Sequence, residues 1–324
     1  MPHVVGPLAL RALVVSFAAL AMSSAGAADP SYPSKPIHIV VPYPAGGATD
    51  QLARAIEKSM SETLGQPIVI ENKAGAGGAI GMDAVARSAP DGYTLAFGNS
   101  GPNSIVGQIR KVPYDTLKDF RMISMVAKVP MVLALPASSP ISNVKEFIVA
   151  ARQKDMNYGS VGNGSISNLT GEYFKDLAGI KLLHIPYSGG APLMQAFGGG
   201  QLDSAFVTGL DGASMVSAGK LKYIAVATPK PTEVLPGLPT VAADVPGFES
   251  IAWFGLLAPK GVSDDIIARL NAAVVKAVAT PEVRKLFADR NVEAESSTPE
   301  EMERITRDEM KKWGGVISKN SIKE

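Results

Sequence analysis

The sequence predicts an α/β fold of two lobes with a ligand cleft between them, and three observations support this. Apolar β-branched runs alternate with helical patterns along the chain after residue 28, as in strands interleaved with helices. Glycine-rich loops at 44–50, 98–101, 159–165 and 187–192 each fall between a strand-like run and a helical one. Two long apolar segments, 124–135 and 251–259, are placed to leave a first lobe and return to it. Ligands of open α/β sheets sit beyond the carboxyl ends of the strands, where such loops gather. Two loops come from each lobe, so the cleft is expected between them.

The elements follow in order. Residues 1–27 read as a secretory signal peptide: Arg11 gives a positive start, 12–22 is apolar but too short to span a bilayer, and Ala25-Gly26-Ala27 is a cleavage signal. With no cysteine to carry a lipid after the cut, the mature protein is expected to be soluble. Ile37, Ile39, Val40 and Val41 mark a first strand, broken by Pro42, Pro44, Gly46 and Gly47. Thr49 and Asp50 are N-cap residue types ahead of a helix through Leu52, Ala53, Ile56 and Leu64. A second strand covers 67–71. The glycine-dense loop 72–81 then leads to a helix through Met82, Val85 and Ala86, and Asp91-Gly92 turns the chain into a strand at 93–97. Pro130, inside the long run 124–135, suits an edge strand or a passage between lobes.

In the second lobe, Ser142 begins a helix and strands at 156–160, 182–186, 204–208 and 223–227 are separated by helical stretches. Prolines crowd 229–246, a surface connection. After the return segment, N-capped helices start at Ser263, Thr280 and Thr298. The expected division is a signal peptide at 1–27, lobe 1 at 28–129 and 252–324, and lobe 2 at 130–251. The mature length accommodates two lobes more readily than one.

Composition removes several function classes. Zero cysteines exclude disulfides, thiolate catalysis and cysteine-ligated metal. His38 and His184 remain after the signal, each alone on a strand with no second ligand at metal spacing, so no metal is expected. There is no Gly-x-Ser-x-Gly, no phosphate-binding Gly-Lys-Ser/Thr and no Gly-x-Gly-x-x-Gly. Ser-x-x-Lys occurs at Ser142–Lys145 and Ser217–Lys220 without its companion motifs, and Ser142 is better read as a helix cap. The chain has 31 basic and 30 acidic residues, and loss of Arg11 balances the mature protein. With aromatics at 6% and no basic patch, nucleic acid is not an expected partner. No catalytic residue and no cofactor is expected.

What the loops offer is a place for a small anion. Gly46 and Gly47 let a ligand approach the backbone where a helix begins. The first N–H groups of that helix lack partners and carry the positive end of its dipole, which attracts a carboxylate without any Lys or Arg. Taken alone, the same loop also suits a tight turn with no ligand. The loop side chains Thr49, Asn99, Ser100, Ser160, Asn163, Ser165, Ser167, Asn168 and Tyr187 are neutral hydrogen-bonding groups, and several of them also suit helix caps and turns. Asp50 and Asp211 open helices and read as caps.

These residues match a known pattern. Tyr-Pro-x-Lys-Pro-Ile at 32–37, Val-Pro-Tyr-Pro-Ala-Gly-Gly-Ala-Thr-Asp at 41–50 and Glu-Asn-Lys-Ala-Gly-Ala-Gly-Gly at 71–78 come first. Pro-Asp-Gly-Tyr-Thr-Leu at 90–95, Tyr-Gly-Ser-Val-Gly-Asn-Gly-Ser at 158–165, His-Ile-Pro-Tyr-Ser-Gly at 184–189 and Trp-Phe-Gly-Leu-Leu-Ala-Pro-Lys-Gly at 253–261 follow. With them the chain resembles the Bug-type periplasmic solute receptors, the extracytoplasmic binding components of tripartite tricarboxylate transporters. The resemblance implies a type II periplasmic binding protein fold and a small carboxylate ligand: a di- or tricarboxylate, an aromatic acid or an amino acid. It also implies a periplasmic location, membrane transporter subunits as partners and a monomeric receptor. Carried over by position, the ligand-binding residues are Ala45, Gly46, Gly47, Ala48, Thr49, Asp50, Asn99 and Ser100 in the first lobe. In the second they are Ser160, Asn163, Gly164, Ser165, Tyr187 and Asp211. Where relatives often have histidine after the Gly-Ser-x-x step, this chain has Ser167-Asn168. The alternatives are a ligand-sensing receptor for signalling or a secreted enzyme on the same lobes.

Overall fold

The computed structural model describes residues 32–323, so the signal-peptide reading of 1–27 lies outside the described residues. The chain begins with a parallel βαβ arrangement. Strand β1 (Ile37–Val41) is followed by α1 (Ala48–Leu64), β2 (Ile68–Asn72), α2 (Ala79–Ala86) and β3 (Thr94–Asn99), and β1 lies between β2 and β3. A π-helical turn at 101–105 and the short helices α3 (Val106–Ile109) and α4 (Thr116–Asp119) then lead to β4 (Phe120–Pro136).

β4 builds the two-lobed shape. Its first part, from Phe120 to Pro130, pairs antiparallel with β9 (Ile251–Pro259), which also pairs with β3. From Met131 onward it pairs instead with β7 (Ser204–Thr208) and β8 (Leu221–Val226). Pro130 sits where the strand exchanges one set of partners for the other, a position that tolerates the missing N–H. Strands β5 (Asn157–Ser160) and β6 (Leu183–Pro186) extend the second half, giving the order β2-β1-β3-β9-β4-β7-β5-β6. A two-residue strand, β10 (Glu293–Ala294), pairs with β4 as well.

Each half has its own core. Alternate β4 residues face opposite sides, as the period of two requires. Met131, Leu133 and Leu135 join Phe147, Phe174, Phe206 and Phe248 under α5 (Val144–Gln153) and α6 (Ile166–Ala178). Val132 and Ala134 join Leu193, Phe197 and Val207 under α7 (Gly190–Gly198) and α8 (Gly209–Ser217). In the first half, Val40, Met82, Ala96, Phe120, Trp253 and Leu257 pack with Met302 of α11 (Pro299–Lys319). The helices α9 (Asp264–Ala279) and α10 (Pro281–Ala288) precede α11. Further along, α11 places Trp313, Val316 and Ile317 against both Ile105 of the first half and Leu169 of the second.

Two helix starts differ from the sequence reading, and a third begins where it was read but without the capping bond. Gly47 is the N-cap of α1, so Thr49 and Asp50 lie inside its first turn. Asn143, one residue after Ser142, caps α5: its Oδ1 accepts from Glu146 N at 2.9 Å while Ser142 N donates to Glu146 Oε2 at 2.8 Å. That is a reciprocal cap, with Ser142 in the outer position. Ser263 precedes α9 with extended backbone, but its buried hydroxyl makes no capping bond. The π-helical turn and α3 have no regular apolar period, which explains why the sequence did not announce them.

Candidate functional site

A cavity of about 440 Å³ lies between the two halves of the sheet, at the ends of β1, β3, β5 and β7. Tyr43, Thr49, Asn99 and Ser100 line it from the first lobe, and Asn163, Ser165 and Thr208 from the second. Ala252 and Phe254 of the return strand complete the polar pocket with an apolar floor, and Val106, Ile109, Val161 and Ile166 add further apolar surface.

On the first-lobe wall the polar groups are tied to one another. Asn99 Nδ2 donates to Thr49 Oγ1 at 3.2 Å, and Asn99 Oδ1 accepts from Gly101 N at 2.9 Å and from the Tyr43 hydroxyl at 3.4 Å. Burial pushes the Tyr43 phenol up to about 12, the Asn99 bond opposing it, so the group stays a neutral donor. Ser100 Oγ accepts from Trp253 N at 3.1 Å, linking this wall to the return strand.

Behind the wall, buried Asp50 holds the loop together. Gly46 N donates to Asp50 Oδ2 at 2.9 Å, Arg54 Nε reaches both oxygens at 3.1 Å, and Asn72 Nδ2 reaches Oδ1 at 3.0 Å. Burial alone would raise this carboxyl, but the bonds from Arg54, Gly46 and Asn72 outweigh it and hold the group below its ordinary value. Gly46, at φ +83°, is in the left-handed region that favours glycine, which lets the loop turn back onto its own helix.

The second-lobe wall consists of two capped helix starts. Ser165 caps α6, accepting from Asn168 N at 3.2 Å, while Asn168 Oδ1 accepts from Gly164 N at 3.0 Å. Thr208 caps α8, accepting from Asp211 N at 3.0 Å and donating to Asp211 Oδ2 at 2.6 Å. Three helices therefore begin at this cavity: α1 through Thr49, α6 through Ser165 and α8 through Thr208. Their unpaired N–H groups and positive dipole ends favour an anion in the space between them. The lobes also meet here, since the Cδ1 of Ile109 reaches Gly164: a Cβ on that glycine would stand 2.2 Å from it.

Of the residues named from the sequence, Thr49, Asn99, Ser100, Asn163, Gly164 and Ser165 line this cavity. Ala45, Gly46, Gly47 and Ala48 form the turn that feeds α1 and lie outside the lining. Gly47 has an ordinary φ of −74°, and a Cβ there would meet only Pro44 O at 3.5 Å. The conformational need for glycine thus falls on Gly46 instead. Asp50 faces inward, Asp211 is engaged with Thr208, and half-buried Tyr187 packs beside the second core while its N–H holds Ser160 O at 2.9 Å. Lining residues the sequence reading passed over include Tyr43, Gly77, Val106, Ile109, Arg110 and Thr208. Thr208 had a local signal, a threonine three residues ahead of Asp211 at a helix start; Arg110 had none.

Among the described residues, Ser160 and His184 form the one pair with the look of a nucleophile and base, Oγ and Nε2 being 2.7 Å apart. The serine is fully buried, however, and does not line the cavity. The His184 ring stacks on Tyr158 at 4.8 Å, and burial pulls its pKa below the usual histidine range. The pair braces β5 against β6 within the wall.

Two α/β lobes around a cleft ringed by helix starts and neutral donors define a periplasmic solute-binding receptor fold. The chain belongs to the tripartite tricarboxylate transporter family receptors, whose family model matches residues 52–322. Among similar proteins, BugT of Bordetella pertussis is 32% identical over 319 residues, covering 97% of this chain and 98% of BugT. The structure of Rhodopseudomonas palustris Rpa4515 with adipate superposes with a TM-score of 0.80 at 32% identity, covering 90% of this chain and 99% of that one. MatC from the same organism, with bound malate, gives a TM-score of 0.75 at 32% identity over 88% of this chain and 100% of MatC. Among the described residues, no helix is long and apolar enough to cross a membrane.

Proposed function

We propose that this protein is the extracytoplasmic solute-binding component of a tripartite tricarboxylate transporter, capturing a small organic carboxylate and delivering it to membrane transporter subunits. The observation that supports this most directly is the convergence of three helix starts and their neutral donors on one cavity, an arrangement suited to a carboxylate. Similar structures hold adipate and malate, which fits the same chemistry. In this reading residues 1–27 direct export and are removed, and the mature monomer works in the periplasm without cofactor or turnover. Lobe 1 comprises 28–129 and 252–324, lobe 2 comprises 130–251, and they close about the Pro130–Ile251 crossing.

Thermal-shift and calorimetric screening of the mature protein against di-, tri- and monocarboxylates, aromatic acids and amino acids tests this. At least one acid should raise the melting temperature in a concentration-dependent way and be recovered unchanged. A protein that responds to none of them, or that consumes the one it binds, would refute the proposal.

A further inference from the structure

Side chains hold the turn between β5 and α6 from behind. Val161 N donates to Ser167 Oγ at 3.0 Å, Gly162 N to Ser160 Oγ at 3.1 Å and Gly164 N to Asn168 Oδ1 at 3.0 Å. Val161, Asn163, Gly164 and Ser165 of this turn line the cavity, so these bonds shape the second-lobe wall. Two of the three acceptors, Ser160 and Asn168, flank a single ring. His184 Nε2 lies 2.7 Å from Ser160 Oγ, and Asn168 Nδ2 lies 3.4 Å from His184 Nδ1.

The neighbours fix the hydrogens. Because Asn168 Oδ1 accepts from Gly164 N, its amide nitrogen faces the other way, donating to the Tyr158 hydroxyl at 2.9 Å and pointing at His184 Nδ1. Tyr158 donates in turn to Glu172 Oε1 at 2.6 Å, and Lys175 pairs with that carboxylate at 2.7 Å. On the neutral ring Nδ1 is therefore the acceptor and Nε2–H donates to Ser160 Oγ, whose hydroxyl donates to Gly162 O at 3.1 Å. A second proton on the ring can go only to Nδ1, where it meets the N–H of Asn168. Two donors then face each other, and Asn168 must turn away and release Gly164 N.

We propose that Asn168 and His184 are positioning residues that hold the 161–165 turn in its ligand-binding shape, and that a proton on His184 releases the turn and weakens capture. This rests on the carboxylate capture proposed above. Burial is the largest influence on the ring and lowers its pKa; of the charged groups acting on it, both on α6, Glu172 favours protonation and Lys175 opposes it. The β5 neighbours, Tyr158 and Ser160, carry no charge. Capture is thus full above the ordinary histidine value of about 6.5 and is lost as pH falls below it through the lowered one.

The test pairs nuclear magnetic resonance of the nitrogen-labelled mature protein with titration calorimetry, from about pH 8 to about pH 5, for wild type, His184→Gln and Asn168→Ala. The calorimetric probes are hexanedioate and malate or, if neither binds, the acid that the wider panel identifies. Glutamine at 184 keeps an N–H for Ser160 and takes up no proton in this range. Without ligand, the neutral ring should carry its proton on Nε2, and the Gly164 amide should lose exchange protection as the ring titrates. With ligand, the readout is the ratio of wild-type to His184→Gln affinity at each pH, in which the acid's own titration cancels. That ratio should fall roughly threefold to tenfold toward the acid end, the effect of about one hydrogen bond. Asn168→Ala should bind more weakly than wild type by a similar factor at neutral pH and follow His184→Gln in its pH profile. Should that variant not fold, wild type and His184→Gln decide by themselves. A neutral ring protonated on Nδ1, a ring that does not titrate in this range, a Gly164 amide indifferent to its titration, or a constant affinity ratio overturns the proposal and leaves carboxylate capture standing. No response to any carboxylate refutes capture and its acid release together, while the resonance data still decide whether the ring positions the turn.

Discussion

Replacing Gly164 with alanine should impair lobe closure, and the structure indicates by how much. Gly164 sits at φ +70°, where an L side chain costs roughly 1–2 kcal/mol. Independently, the new Cβ would stand 2.2 Å from Ile109 Cδ1, which belongs to the opposite lobe. The backbone cost applies whether or not the lobes meet, so it lowers the melting temperature. The steric cost applies only when the lobes close, so it lowers affinity. The atom met is the far end of the Ile109 side chain, which can swing aside, so the cost falls at the low end of the roughly 1–3 kcal/mol for overpacking, about fivefold weaker binding. Calorimetry with the best acid from the panel measures it. Ile109→Ala in the same chain removes the opposing atoms and should restore most of the lost affinity, while the melting temperature stays depressed. A double-mutant cycle isolates that coupling. Gly46→Ala is the control for backbone cost alone, since it has φ +83° and nothing within 4 Å of its Cβ position. The reasoning fails if Gly164→Ala binds like wild type, or if the loss persists undiminished when Ile109 is truncated.

Two further outcomes are expected. Gly47→Ala should leave affinity within about threefold of wild type, because its backbone is ordinary and only Pro44 O lies near, at 3.5 Å; titration calorimetry decides this. Glu309, which accepts from Trp253 Nε1 at 2.6 Å, is raised above the usual glutamate range by burial, which outweighs the opposing influence of the neighbouring polar groups and of the Lys312 charge. The folded state therefore keeps this proton at pH values where the unfolded chain has lost it. Its contribution is fullest below the ordinary glutamate pKa and falls as pH rises from there through the raised folded value. Melting temperatures of wild type and Glu309→Gln across that window should converge or cross as pH rises; a constant difference would show that the carboxyl does not titrate this way.

The sequence by itself determined what is local. Strand periods located β7 and β9 to the residue, because a run such as Ile251–Pro259 bounded by turn residues needs no distant partner to be recognised. Thr280 and Thr298 announced α10 and α11, since an N-cap acts on N–H groups within its own first turn. The glycine loops after the strands directed attention to Thr49, Asn99, Ser100 and the 163–165 turn for the same reason. Tertiary structure decided the rest. Asp50 could be read as a cap, but only folding brings Arg54 and Asn72 around it and turns it inward. Ser160 read as a loop hydroxyl available to a ligand until the β5–β6 pairing set His184 against it. Arg110 and Ile109 follow a π-helical turn that has no apolar period, so no local signal pointed either of them to the cleft. They reach it because Arg110 packs against Gly77 and Ile109 against Gly164, glycines 33 and 55 positions away that make room by having no side chain.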